Sequence, residues 1–195
     1  GRPDLTIPVF VRVQEQGELD EFDIFDAGKV RTPGDVLSVH HIEYAAAKAA
    51  AAKLVLLYEA VPANVWTGTS LIYATRPHVT EFVIKHLDEF ERAASWPHFP
   101  KMNRGVWIAL AFLVEAKSAM PDEFEEFHRG VSTGVGLVEG DPRLALRNNI
   151  MQRHMQPSHG WGGSQSILGG HIKAWNKYVN DEQSRVILYR RTELP

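Results

Sequence analysis

The basic residues of the last third of the chain have the spacing best suited to chemistry. Arg143 and Arg147 stand four apart, as do Lys173 and Lys177. That spacing brings two side chains to one face of a helix. Arg153 follows the first pair, and Trp161 lies in the Gly-rich stretch between the pairs. Adjacent helices with such pairs can track a phosphate backbone, and interleaved aromatic rings can stack on unpaired bases. Arg143, Arg147, Arg153, Trp161, Lys173 and Lys177 are therefore the candidate nucleic-acid contacts. Trp175 reads as core, whereas Trp161 reads as an exposed contact. Residues 1–141 hold 13 Lys and Arg against 21 Asp and Glu, while residues 142–195 hold 8 against 3. This asymmetry fits a nucleic-acid-facing end. It fits equally an acidic and a basic half that neutralise each other within the fold.

Other clusters are incomplete. His154, His159 and His171 are spaced by five and twelve, which matches no pattern of ligands converging on zinc. His40-His41 lacks the spacing of four that sets two imidazoles on one helix face. No metal is expected. Ser164 and Ser166 follow two glycines at a helix start, where backbone N–H groups can hold an anion, although a plain N-cap accounts for them as well. Asp122, Glu123, Glu125 and Glu126 form a run on one helix start, which reads as a solvated face. There is no Gly-x-Ser-x-Gly elbow and no Walker loop, and no cofactor is expected. The chain has no cysteine, which excludes disulfides, thiolate metal sites and cysteine nucleophiles and suits a reducing cytoplasm.

The elements that must position these residues are mostly helices. Thr32-Pro33-Gly34-Asp35 reads as a helix start with proline at its first position. The Ala-rich run His41 to Tyr58 has almost no breakers. Further helices are predicted from Thr75 to about Ala94, from an Asn103 cap to about Ser118, from Pro121 through Val131, from Asp141-Pro142 to about Met155, and from Ser164 through Tyr178. Leu5 to Val13 is rich in β-branched residues and predicts a strand, with Pro8 confining it to an edge or a strand start. Arg185 to Tyr189 predicts a last strand. A lone strand is unstable, so the two termini are expected to pair. The fold class is thus mainly α: roughly six helices in a bundle, with a small β element formed by the N- and C-terminal strands. Residues 1–30 form a strand and turn segment, and residues 31–195 the helical domain. Val106 to Val114 is the longest apolar run. A bilayer span takes roughly 20 residues, so this run is expected to be the most buried helix and no membrane segment is expected.

Three blocks carry a resemblance. Asp26-Ala27-Gly28-Lys29-Val30-Arg31, leading into Asp35-Val36-Leu37, is similar to the stretch that follows the ParB-like motif in certain actinobacterial and phage proteins. So are Thr133 to Leu137 with Gly140 to Arg147, and Ile172 to Tyr178 followed by a short basic segment. The chain resembles the C-terminal helical region of ParB-like (ParB/sulfiredoxin-type) domain proteins. In that family an Asp-Gly-(Gln or His)-His-Arg box comes first. The box is absent here, so no nuclease or nucleotidase activity carries over. The chain opens Gly1-Arg2-Pro3-Asp4 without an initiator methionine and is expected to be a piece of a longer protein. The resemblance implies DNA as the partner class and a bacterial or phage-infected cytoplasm as the setting.

Three readings follow. The leading one is a helical accessory domain of a ParB-like protein that binds or positions DNA through a basic C-terminal face. The second is a protein-interaction or structural module, with a protein partner or homo-oligomer. The third is an enzyme using His159 or Ser164, for which no complete catalytic motif is present.

Overall fold

An alanine-rich helix can approach its neighbours more closely than one with long side chains, and this sets the centre of the fold. The computed structural model describes residues 31–60, 74–97, 99, 101–117, 120–155 and 163–187. The chain divides into two compact units, Gly1–Arg31 and Thr32–Pro195. Residues 1–30 lie outside the described residues, and the fold is that of the second unit. It consists of α1 (Pro33–Val39), α2 (Ala45–Ala60), α3 (Arg76–Lys85), α4 (Leu87–Ser95), α5 (Arg104–Lys117), α6 (Pro121–Thr133), α7 (Pro142–Met155) and α8 (Gly163–Val179).

The mainly α class holds, with eight helices among the described residues where roughly six were expected. Two predicted helices have different bounds. The Ala-rich helix begins at Ala45, because His41 and Tyr44 adopt left-handed φ values of 57° and 53° and reverse the chain after α1. The guanidinium of Arg104 lies 3.4 Å from the centroid of the Tyr44 ring, a cation–π contact that offsets part of that backbone strain. The predicted helix from Thr75 to Ala94 is two helices bent at His86, whose φ is −115°. The bend sets the His86 ring 4.7 Å from Phe82 and 5.8 Å from Phe112. No strand occurs among the described residues. Arg185 to Ile187 lie in none, while Leu5 to Val13 and residues 188–189 lie outside them. The described end of the C-terminal segment is held by a side chain instead: Asn149 Nδ2 donates to the carbonyl of fully buried Ile187 at 2.7 Å.

Helix starts follow local chemistry. The Thr32 hydroxyl accepts from Asp35 N, and the Asp35 carboxylate accepts from Thr32 N, a reciprocal capping box. Asn103 Oδ1 accepts from Val106 N at 3.2 Å, and Asp141 Oδ1 from Arg143 N at 2.8 Å.

Two glycines let α2 pack closely. A Cβ on Gly34 of α1 would come within 2.9 Å of Ala46 Cα, and one on Gly105 of α5 within 2.9 Å of Ala50 Cβ. Contacts under about 3.0 Å are not sustained, so both positions require glycine. Helix α5 packs against α2, α4, α6 and α8. Every residue from Val106 to Val114 is at most 5% exposed, as the all-round apolar run predicts. Aromatic rings join the layers. Phe90 stacks on Phe112 at 4.6 Å. A second series runs from Trp107 through Phe124 to Trp175, with centroids 5.3 and 5.6 Å apart. Trp175 is accordingly core, at 4% exposure.

Lys48 and His128 are among the buried polar side chains. Lys48 of α2 is fully buried and pairs with Glu91 of α4. His128 of α6 donates from Nε2 to the Pro97 carbonyl at 2.6 Å and lies 4.8 Å from the Trp107 ring. Burial holds its pKa below the ordinary histidine value, against the opposing effect of the Pro97 hydrogen bond. The folded chain therefore favours neutral His128 over the imidazolium. Its contribution to stability is complete above the unfolded pKa of about 6.5 and declines as pH falls through that value toward the depressed folded one. Unfolding midpoints measured from pH 7.5 downward should show this slope in the parent and a flatter one in His128→Gln. Parallel curves would mean that His128 is not the source.

Candidate nucleic-acid interface

Helices α6 and α7 meet through matched pairs. Gly130 and Gly134 on one side face Arg143 and Arg147 on the other. A Cβ on Gly130 would come within 2.8 Å of Arg143 Cδ, and one on Gly134 within 2.9 Å of Arg147 Nε. Gly134 also takes the left-handed conformation that ends α6, with φ 73°, a position where glycine has no steric penalty.

Both arginines are used within the fold. Arg143 holds Asp141 through Nε and Nη2, the latter at 2.7 Å, and reaches Glu126 at 3.4 Å. Its guanidinium carbon lies 4.7 Å from the Tyr178 ring centroid, and the side chain is 15% exposed. The hydrogen bond to Asp141 raises its pKa further. Arg147 Nη1 donates to the carbonyls of Val131 and Ser132, both at 2.7 Å. These are carbonyls of the last turn of α6, which the helix itself leaves unsatisfied, so Arg147 acts as a C-terminal cap.

The other candidates are distributed differently. Lys177 pairs with Glu182 at 2.9 Å. Lys173 is half-buried on α8. The Arg153 side chain and Trp161 lie outside the described residues. The structure thus brings Arg143, Arg147 and Lys177 to the contact of α6, α7 and α8 and the turn after α8, each beside an internal partner. The signal for this was present in the sequence as Gly130-x-x-x-Gly134 answering Arg143-x-x-x-Arg147, a correspondence visible only once α6 and α7 are known to be neighbours.

The remaining clusters do not converge. His171 is fully buried, with Nδ1 2.7 Å from the carbonyl of Ile167 in its own helix. His40 and His41 are exposed beside α1, and the His154 side chain and His159 lie outside the described residues. Among the described residues no three His, Asp or Glu side chains come together as metal ligands. Ser166 is buried and Ser164 exposed at the start of α8. Asp122, Glu123, Glu125 and Glu126 are exposed. No helix among the described residues is long and apolar enough to cross a membrane.

One surface feature was not anticipated. The loop after α6 and the segment after α8 run side by side. Ser184 N donates to the Gly140 carbonyl at 2.6 Å, and Arg185 Nε lies 3.2 Å from Glu139 Oε1. Val138 and Val186 each lie two residues from that backbone hydrogen bond. Val135, Val138 and Val186 are 80%, 69% and 55% exposed, an apolar edge on two chain segments braced against each other. Valines in a loop carry no helical or strand periodicity, so nothing in the sequence marked them.

No family model, no curated protein and no solved structure matches the chain.

Proposed function

We propose that this chain is a non-catalytic helical module of the ParB-like type and that it docks a protein partner through the exposed valines Val135, Val138 and Val186. The observation that carries this reading is the internal use of Arg143 and Arg147, the cations best spaced for phosphates. A guanidinium already bonded to a carboxylate or to helix-end carbonyls has fewer donors left for a phosphate and is held in place by the fold. The valine edge supplies what a protein interface needs, an apolar centre. The Glu139–Arg185 pair beside it cancels its own charge, which suits an uncharged apolar partner surface. The DNA reading is the other outcome of the test.

Fluorescence anisotropy with labelled single-stranded and duplex DNA at low salt is expected to show no binding by the intact chain. Arg147→Ala is expected to lower unfolding stability by about 1.5–3 kcal/mol, the usual contribution of hydrogen bonds from a charged donor. A tagged chain should retain a protein partner that Lys173→Ala still recovers and Val138→Asp loses, with both variants melting like the parent. DNA binding that weakens steeply with salt and is reduced by Lys173→Ala would replace this reading with the nucleic-acid one.

A further inference from the structure

A cleft of about 530 Å³ lies where α4, α5 and the start of α6 meet. That volume falls within the roughly 300–1,000 Å³ typical of small-ligand sites. Trp96, Ala111, Val114, Met120, Pro121 and Phe124 make its walls. Its polar lining is Arg92, Ser95 and Glu115, all exposed, so a mostly apolar chamber opens beside one ion pair. This is the usual composition of a site that takes an apolar body and fixes it by one polar group.

The ion pair is asymmetric. Arg92 donates from Nε to Glu115 Oε1 at 2.5 Å. The Nη1 and Nη2 groups of Arg92 donate to no side chain or carbonyl among the described residues, and the side chain is 58% exposed. A guanidinium has two donor edges in a rigid plane. Glu115 takes the Nε side and leaves the Nη1–Nη2 edge, which accepts a carboxylate or sulfonate through two parallel hydrogen bonds. Glu115 orients the Nε side of the guanidinium. The wall rings are set by the packing already described, since Trp96 meets Phe124 edge-on at 5.3 Å and Phe124 stacks on Trp107. A ligand here therefore meets a largely preformed surface.

We propose that this cleft binds a small amphiphilic organic anion, its aromatic or branched apolar body against Trp96, Val114 and Phe124 and its acid group on the Nη1–Nη2 edge of Arg92. The assignment goes beyond the protein-docking reading and is independent of it, because the valine edge lies on other segments.

Four probes test it: 8-anilinonaphthalene-1-sulfonate, and 4-phenylbutyrate, 4-phenylbutanol and 4-phenylbutylamine, which share one apolar body and differ in the head group. The sulfonate dye should brighten on binding and quench tryptophan emission. Phenylbutyrate should displace it at concentrations about tenfold lower than the alcohol, the scale of one charge-assisted hydrogen-bond pair. Arg92→Ala should remove that advantage and leave the alcohol unchanged. Ala111→Phe, which fills the chamber, should abolish binding of all four probes. Ser95→Trp at the opening should do the same, and it replaces Ala111→Phe as the readout if that variant does not fold. Val138→Asp should leave the dye bound. Dye binding that survives a folded cleft-filling variant would overturn the site, and a preference for the amine over the butyrate would overturn the anion assignment.

Discussion

Replacing Phe112 by alanine is expected to lower unfolding stability by about 3–5 kcal/mol, the range for a large aromatic removed from a packed interior. Phe112 is 4% exposed and its ring meets Phe82, His86 and Phe90 within 5.8 Å. Those three rings belong to α3, to the bend and to α4, so one truncation opens a void shared by three elements. Such a void cannot close by shifting one side chain, which places the expected loss in the upper part of the range. Denaturant titration with an unchanged slope measures it. A loss below about 1 kcal/mol would show that α5 is peripheral on this side.

The second large effect concerns Lys48. Glu91→Ala removes the carboxylate that balances a fully buried ammonium. Breaking a buried pair from one side typically costs about 3–5 kcal/mol. Glu91 is itself 48% exposed, so water can partly take its place, and the expected loss is about 2–3 kcal/mol. Lys48→Met removes the charge and keeps most of the stem, and an apolar replacement of a buried ion is often neutral, so its expected change is within about 1 kcal/mol. The order is therefore diagnostic: deleting the half-exposed acid harms more than replacing the buried base. Equal losses in the two variants would mean that the ammonium is not held uncompensated when Glu91 is absent.

What the sequence made legible was local. Thr32-Pro33-Gly34-Asp35 marked a helix start because a capping box is complete within four residues, and the structure has it. Asn103 and Asp141 marked two more as single side-chain caps, each bonded to a backbone N–H within three residues. Val106 to Val114 announced burial because no face of such a helix is polar. Trp175 read as core and is core. The bends at His41–Tyr44 and at His86 were not legible, because the α5 side chains that meet them, Arg104 over Tyr44 and Phe112 against His86, are distant in sequence. Lys48 gave no sign of burial, since in the sequence it is one lysine in an alanine-rich helix and its partner is 43 residues away. The same holds for the candidate interface. Arg143 and Arg147 were correctly seen to share a face, but periodicity does not say whether that face meets solvent or Gly130 and Gly134.

The position of α5 also bears on how the chain acquires its fold as it is made. Synthesis proceeds from the N-terminus at about 5–20 residues per second. Helix α5 packs against α2 and α4, which precede it, and against α6 and α8, which follow. When Lys117 has just emerged from the ribosome, the first two partners are present and the last is still some fifty residues from emerging. During that interval the apolar stretch Val106 to Val114 lacks its later partners. The nascent chain thus passes through a defined window of exposed hydrophobic surface that closes only when α8 arrives.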